Sequence, residues 1–405
     1  MHTPQERSTT QQVPVNDDFA HPPASMPLEF PRNGDVIQPA ERLSQRLYFP
    51  SRGVSSVESN VLVSVAQVAV DDGSDNEDSR MESDETSIRR RSLPCRAYWI
   101  QRTLRDAIYG RVRLAVVLRR REIVNAEEAE WEVTSEKCAI KEMEWKRIRQ
   151  GRGRLSENPI QEVRALQFLK MSNDNGIHPK HVVVPLDMFS DSMHLYLISP
   201  FCNGGELFGL LESKENQFSE REARFWMKQI LSGLAELQHL RICHRDISLE
   251  NIMIHNQTSL VIDFGMCLCV PFDNERNRLL MNPQGTCGKW HYMAPEIVAN
   301  QEPFDGFAID LWAAGVILFI MLLGYPPWEK AEDADERFRY MSRGYMTQLL
   351  TQWNSGLSSE VMDLLQKMLY KNPRQRLSLR QISTHPWFQK EDSTLGEISQ
   401  QPWVA

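Results

Sequence analysis

No Cys-x-x-Cys pair occurs in this chain of 405 residues; its seven cysteines, Cys95, Cys138, Cys202, Cys243, Cys267, Cys269 and Cys287, stand apart. That argues against a zinc ribbon or a disulfide-framed domain and points to the reducing interior of a cell. The N-terminus lacks a basic-then-apolar leader, so no secretory segment is expected. The longest apolar run, Leu311 to Leu323, is shorter than the about 20 residues that a bilayer span takes. A basic excess is missing too: Lys plus Arg is 46 against 54 for Asp plus Glu, a net charge of −8. That balance argues against nucleic acid as the main partner. No internal repeat is visible. What the chain does have is 41% hydrophobic residues, enough for a sizeable core, and a length that allows two or three domains or one large domain with tails.

Residues 1–96 read as a disordered extension, rich in Pro, Ser, Gln and Asp. Within it Val61–Val70 is the apolar exception, open to reading as a strand, a transient helix or a docking segment, with a weakly ordered segment the plainest choice. An acidic tract, Asp71 to Glu85, precedes Arg89-Arg90-Arg91-Ser92. The three arginines fit either a nuclear signal or a solvated charge run. Strands are expected at 112–118 and 137–141, a charged connection at 119–136, and a hairpin from 182–189 and 193–198 around Ser190-Asp191-Ser192. The period of two places Ala139 and Lys141 on one face. Helical periodicity covers 159–171, 220–240, 308–323 and 358–371, the third apolar on nearly every side. A β-rich portion followed by a helical one makes the fold class α+β.

The chemistry concentrates in His244-Arg245-Asp246-Ile247-Ser248-Leu249-Glu250-Asn251, followed by Asp263-Phe264-Gly265. Asp246 and Asn251 lie five residues apart in a loop. Two short strands, 252–254 and 260–262, joined at 256–259, would return Asp263 to the side of Asn251. One carboxylate is then available to a substrate hydroxyl, while a second carboxylate and an amide can hold a hard divalent cation.

This ordered set resembles the eukaryotic protein kinase family, serine/threonine type. The ending His385-Pro386-Trp387-Phe388 is similar to the calmodulin-dependent-kinase-like branch. The resemblance runs over 97–389 and implies a bilobal fold: a small β-rich N-lobe over 97–199, a larger helical C-lobe over 200–389, and a tail at 390–405. It implies ATP and Mg2+ as cofactors. Lys141 would grip the inner phosphates with Glu162 as its ion-pair partner, Asp246 would deprotonate the acceptor, and Asn251 and Asp263 would hold the metal. The adenine would lie among Val112, Ala139 and Met253, its edge on the backbone of Pro200 and Cys202, with Ser199 at the back. Tyr109 and Gly110 would cover the nucleotide. Leu166, Leu186, His244 and Phe264 would stack in a column anchored by Asp310, and Glu296 would bridge to Arg376.

Three departures stand out. The glycine-rich loop is degenerate, with Arg105 and Ala107 at its first two glycine positions, so close approach to phosphate is impeded. Ser248 stands where the family carries lysine, and Lys289 where it usually carries threonine. The resemblance implies that these two positions touch, so a hydroxyl and an ammonium have exchanged places, and Lys289 is expected to act in catalysis by reaching the transferring phosphate. Glu206 and Glu250 match carboxylates that receive basic side chains, giving a loose preference for a protein substrate basic around its acceptor. Ser92 and Thr286 are candidate self-phosphorylation sites. The expected location is the cytoplasm, with the arginine run as a possible nuclear address. The rival reading is a pseudokinase scaffold that binds partners or nucleotide with little or no turnover.

Overall fold

The computed structural model describes residues 38–64, 96–121, 130–151 and 157–390. Two compact units divide the chain. Among the described residues, one takes in 38–151 and 185–201, the other 157–184 and 202–390.

The first unit is built from seven strands: β1 (Gln38–Phe49), β2 (Gly53–Ser64), β3 (Arg96–Ala107), β4 (Gly110–Arg121), β5 (Glu130–Glu144), β6 (Asp187–Ser190) and β7 (His194–Pro200), with helix α1 (Trp145–Gly151) after β5. They close into a barrel in the order β1-β2-β3-β4-β5-β7-β6, and β1 also pairs with β5. The alternation of side chains separates two apolar clusters. Leu62, Tyr98, Val117, Cys138 and Ile140 fall in one; their chain neighbours Val61, Val63, Ala97 and Leu118 fall in the other with Leu47 and Trp131. This is the period of two expressed as packing.

Strands β1 and β2 correct the expectation of an irregular extension over that stretch. Val61, Leu62 and Val63 pair antiparallel with Trp99, Tyr98 and Ala97 and are buried. Composition alone hid them because β1 is polar along much of its length. One of its polar residues has a buried partner: Arg42 makes an ion pair with Glu142 of β5, a carboxylate only 2% exposed. Closure also removes the free β3 edge that a shorter sheet would leave. The strands expected at 112–118 and 137–141 extend to 110–121 and 130–144, shortening the connection between them. Arg89-Arg90-Arg91-Ser92 and residues 391–405 lie outside the described residues.

The second unit carries α2 (Pro159–Asp174), α3 (Leu207–Ser213), α4 (Glu220–His239), α5 (Pro295–Ala299), α6 (Gly306–Leu323), α7 (Glu336–Tyr340), α8 (Met346–Gln352), α9 (Ser359–Met368), α10 (Leu379–Ser383) and α11 (Pro386–Gln389). Two small ladders, β8 (Ile242–Cys243) with β11 (Leu268–Cys269) and β9 (Ile252–His255) with β10 (Thr258–Val261), complete it. Local chemistry sets the helix starts. The Asn158 side chain accepts from the Ile160 and Gln161 N–H groups ahead of α2, and Ser219 with Glu222 forms a capping box ahead of α4. The α4 residues Ala223, Trp226, Ile230, Leu234 and Leu237 are all buried. Helix α6 is apolar enough to cross a bilayer by length and composition, yet 89% of it is buried inside the protein. It is the central helix that its all-round apolar surface foretold.

Candidate active site

The loop from His244 to Asn251 is held at its start by a buried partner on α6. Asp310, on α6 and 3% exposed, accepts the His244 N–H at 2.7 Å and the Arg245 N–H at 2.9 Å. Burial pushes its carboxyl up to about 7, against the pull of those two hydrogen bonds. The clamp fixes Arg245 at φ 68, a left-handed conformation that a non-glycine residue adopts only when its surroundings enforce it. Burial lowers the His244 imidazole to about 4, so it is neutral. Its Nε2 donates to the Ile262 carbonyl at 2.9 Å and its Nδ1 accepts the Asp246 N–H at 3.3 Å, and the ring meets Phe264 edge-on at 5.0 Å. His244 thus ties the loop to the strand end that carries Asp263.

Asp246 and Asn251 come together. The Asn251 amide Nδ2 donates to both the Asp246 carbonyl and its Oδ2 at 2.8 Å. Burial raises the Asp246 carboxyl to about 6; Lys289 and the Asn251 hydrogen bond oppose that rise. A base in this range is largely ionised at neutral pH and still able to hold a proton briefly. With Nδ2 committed to Asp246, the Asn251 Oδ1 is the atom left for a cation. The β9–β10 hairpin forms as expected, and the Ile262 N–H donates to the Asn251 carbonyl at 3.0 Å, which places Asp263 next in line. Asp263 has φ 66, within the tolerance of aspartate.

Around Asp263 the second unit gathers more carboxylates than the motifs alone indicate. Oxygens of Glu157, Glu162 and Asp263 all lie within 4.8 Å of one another. The start of α2 packs here: the Asn158 N–H donates to the Gly265 carbonyl at 3.0 Å. Glu162 is 4% exposed. Oxygen donors of this kind suit a hard divalent cation; Asp263 is one of the two expected metal holders, and Glu162, expected instead beside Lys141, stands among the same oxygens. Glu157 was not foreseen; it precedes the cap of α2 and carries no motif of its own.

Lys289 comes back to the loop as its exchanged position implied. Its Nζ donates to the Ser248 Oγ at 2.7 Å and lies 3.2 Å from Glu250 Oε2. Ser248 is fully buried. Thr286 is exposed, while Arg245 Nε and Nη2 are buried without a hydrogen-bond acceptor among the described residues. Burial holds the Cys287 thiol above its ordinary value, and so protonated. Glu206 sits at the cap of α3 and bridges to Met253. Cys202 is buried, its thiol pushed up to about 11. The Arg376–Glu296 bridge is bidentate at 2.7 and 2.8 Å.

The remaining expected residues stand in the barrel unit. Val112 pairs with Lys141 and Leu114 with Ala139; Ala139 pairs in turn with Ser199 and Cys138 with Pro200. Ala139 and Lys141 share the half-buried face, opposite Cys138 and Ile140 in the core. Tyr109 is buried and its carbonyl accepts the Glu144 N–H at 2.8 Å. A Cβ at Gly110 would overlap the Glu142 carbonyl oxygen. The close approach of β4 to β5 therefore requires this glycine, whatever it does for phosphate.

Comparison with known proteins bears on the whole arrangement. The chain is 30% identical over 240 residues to a rice serine/threonine-protein kinase, SAPK4 of Oryza sativa subsp. japonica, covering 58% of this chain and 62% of that one. It is 32% identical over 223 residues to SRK2C of Arabidopsis thaliana, covering 54% and 62%. It is 33% identical over 238 residues to the probable serine/threonine-protein kinase HSL1 of Saccharomyces cerevisiae, covering 58% and 14%. The chain thus spans less than two thirds of the length of these relatives. Residues 126–388 match the family described as protein kinase domain, well over half of the chain and inclusive of the clamped loop and the hairpin behind it, and on that match this chain belongs to the protein kinase family.

Proposed function

We propose that the chain is a serine/threonine protein kinase that moves the terminal phosphate of ATP, with Mg2+, to a protein hydroxyl. The observation that carries this reading is the Asp246–Asn251 pair: a carboxylate near 6, hydrogen-bonded to the amide whose other atom suits a metal, on a loop clamped by Asp310. Asp246 orients the acceptor hydroxyl and takes its proton. Asn251 and Asp263 would hold the metal, which when bound offsets phosphate charge and aims the transferring group. Lys141 in the barrel unit would steady the inner phosphates. In the barrel unit, Val112 and Ala139 would offer apolar surface for adenine and Pro200 a backbone group for its edge.

The chain's substrate would be a protein, with a loose preference for basic residues that rests mainly on Glu206, because Glu250 already faces Lys289. Self-phosphorylation at Thr286 gains support from its exposure and from the buried, acceptor-less Nε and Nη2 of Arg245; Ser92 stays a candidate from the sequence. The likeness to the calmodulin-dependent-kinase-like branch rests on the ending at His385, whose ring caps α11 and meets Asp363 at 3.0 Å.

A radiolabelled-phosphate assay on the purified chain, with Asp246→Asn as control, is the direct test. Transfer by the wild type and its loss in the variant would sustain the reading. Nucleotide binding without transfer would favour the rival, a scaffold with little or no turnover, for which Arg105 and Ala107 on the β3–β4 hairpin speak.

A further inference from the structure

We propose that Lys289 supplies the ammonium that faces the transferring phosphate beside Asp246 and that Glu250 is its positioning residue, reserved for Lys289 rather than for a basic side chain of the substrate. The inference rests on the kinase reading above and goes further than it. Three observations carry it. The Lys289 ammonium donates to Ser248 Oγ at 2.7 Å and stands 3.2 Å from Glu250 Oε2. Ser248 is 0% exposed, so its hydroxyl can only anchor; it cannot reach a substrate. The Lys289 side chain keeps 40% of its surface open and Glu250 33%, so the ammonium is held from behind and open in front. Gly288 makes the approach possible: at φ 87, a Cβ there would press at 3.1 Å on the Arg245 carbonyl and on Asp246 Oδ1. The segment that delivers Lys289 therefore lies directly on the base.

Charge logic assigns the roles. As the acceptor oxygen bonds to the terminal phosphorus, the bond to the leaving diphosphate oxygen breaks and the acceptor proton passes to Asp246. Negative charge spreads over the oxygens of the transferring group, and a fixed ammonium beside Asp246 offsets it. The loop from 244 to 251 itself contains no lysine. Glu250 makes no directed hydrogen bond through Oε2, so its hold on Lys289 is Coulombic, strong enough to aim the ammonium and loose enough to let it follow the phosphate. A glutamate so engaged is a poor receptor for a substrate arginine.

The test uses the full chain with ATP, Mg2+ and two peptides that differ only by arginine or alanine before the acceptor. Lys289→Ala is expected to lower kcat about 100-fold with little change in KM for ATP. Ser248→Ala should cost far less, and the Ser248→Lys/Lys289→Thr double exchange should recover most of the loss. Glu250→Gln is expected to lower kcat while the arginine-to-alanine ratio of kcat/KM stays as in the wild type. Circular dichroism on each variant separates misfolding from lost chemistry, and the double exchange keeps the inference open to refutation if Lys289→Ala misfolds. An active wild type with an unaffected Lys289→Ala would overturn the inference alone. So would a Glu250→Gln that keeps kcat and loses arginine discrimination. A wild type that transfers no phosphate removes the kinase reading and this inference together.

Discussion

The loop at 244–251 and the β3–β4 hairpin at 105–112 are the two places where the sequence reading expects a departure from the kinase pattern, and the structure treats them differently. In the loop one residue has changed, Ser248, and a lysine 41 positions along the chain stands against it at 2.7 Å. In the hairpin the two positions of interest are Arg105 and Ala107, which pair with Val112 and Gly110 in the strand ladder. The loop is bound by side chains to buried partners, so a lost charge there leaves a defined gap that another side chain can fill. The hairpin is bound by its backbone, and backbone pairing is indifferent to which side chains it carries. A lost glycine there alters approach, which no distant residue can restore.

The sharpest way to break this contrast is at Asp310. Replacing it by alanine leaves the His244 and Arg245 N–H groups buried without acceptors, at about 1–3 kcal/mol each, and releases Arg245 from its left-handed backbone. Asp310→Ala is expected to abolish phosphate transfer and to lower the denaturant midpoint, and Asp310→Asn, which keeps one acceptor, to lose roughly half as much stability. Urea unfolding followed by both fluorescence and activity reads this. A variant that keeps wild-type transfer would show that the loop is not held from α6.

Gly110→Ala comes next. The added methyl meets the Glu142 carbonyl, and overpacking of that kind costs about 1–3 kcal/mol. The loss should be seen in thermal stability, with the KM for ATP little altered in the folded fraction. The opposite pattern, normal stability with a raised KM, would return Gly110 to the role the sequence assigned it, in the nucleotide site. Arg42→Ala should have a smaller effect, about 1 kcal/mol, because Arg42 is itself 36% exposed and Arg113 still faces Glu142 at 3.4 Å. A loss of several kcal/mol would mean that closure of the barrel by β1 depends on this one pair.

How much of this was legible before the fold follows from the range of each interaction. Asp246, Asn251 and the hairpin to Asp263 could be read because they are close in sequence and their geometry is local. The long helices could be read because α4 and α6 bury contiguous apolar faces. Strand β1 could not, since its side chains look solvated until Glu142, 100 positions away, is brought beside Arg42. Glu157 could not either: a lone acid before an Asn-Pro cap is unremarkable until α2 lays it against Asp263. The Lys289–Ser248 contact lies between these cases. Its two positions were readable as departures from a pattern, but the engagement of Glu250 by the same ammonium was not, and it changes what the acids around the acceptor are free to bind.

The smallest expected effect tests the other half of the comparison. If the hairpin has lost phosphate approach without compensation, restoring glycine should help. Arg105→Gly and Ala107→Gly together are expected to lower the KM for ATP by a few-fold while kcat stays put, because tighter binding that is equal in ground and transition states leaves turnover unchanged. Some stability should be lost as well, about 0.5–1 kcal/mol for glycine in a strand in place of alanine. An unchanged KM would mean that the hairpin backbone never approaches the phosphates in this chain. In that case Arg105 and Ala107 are not a defect left unrepaired, and the hairpin acts as strand structure alone.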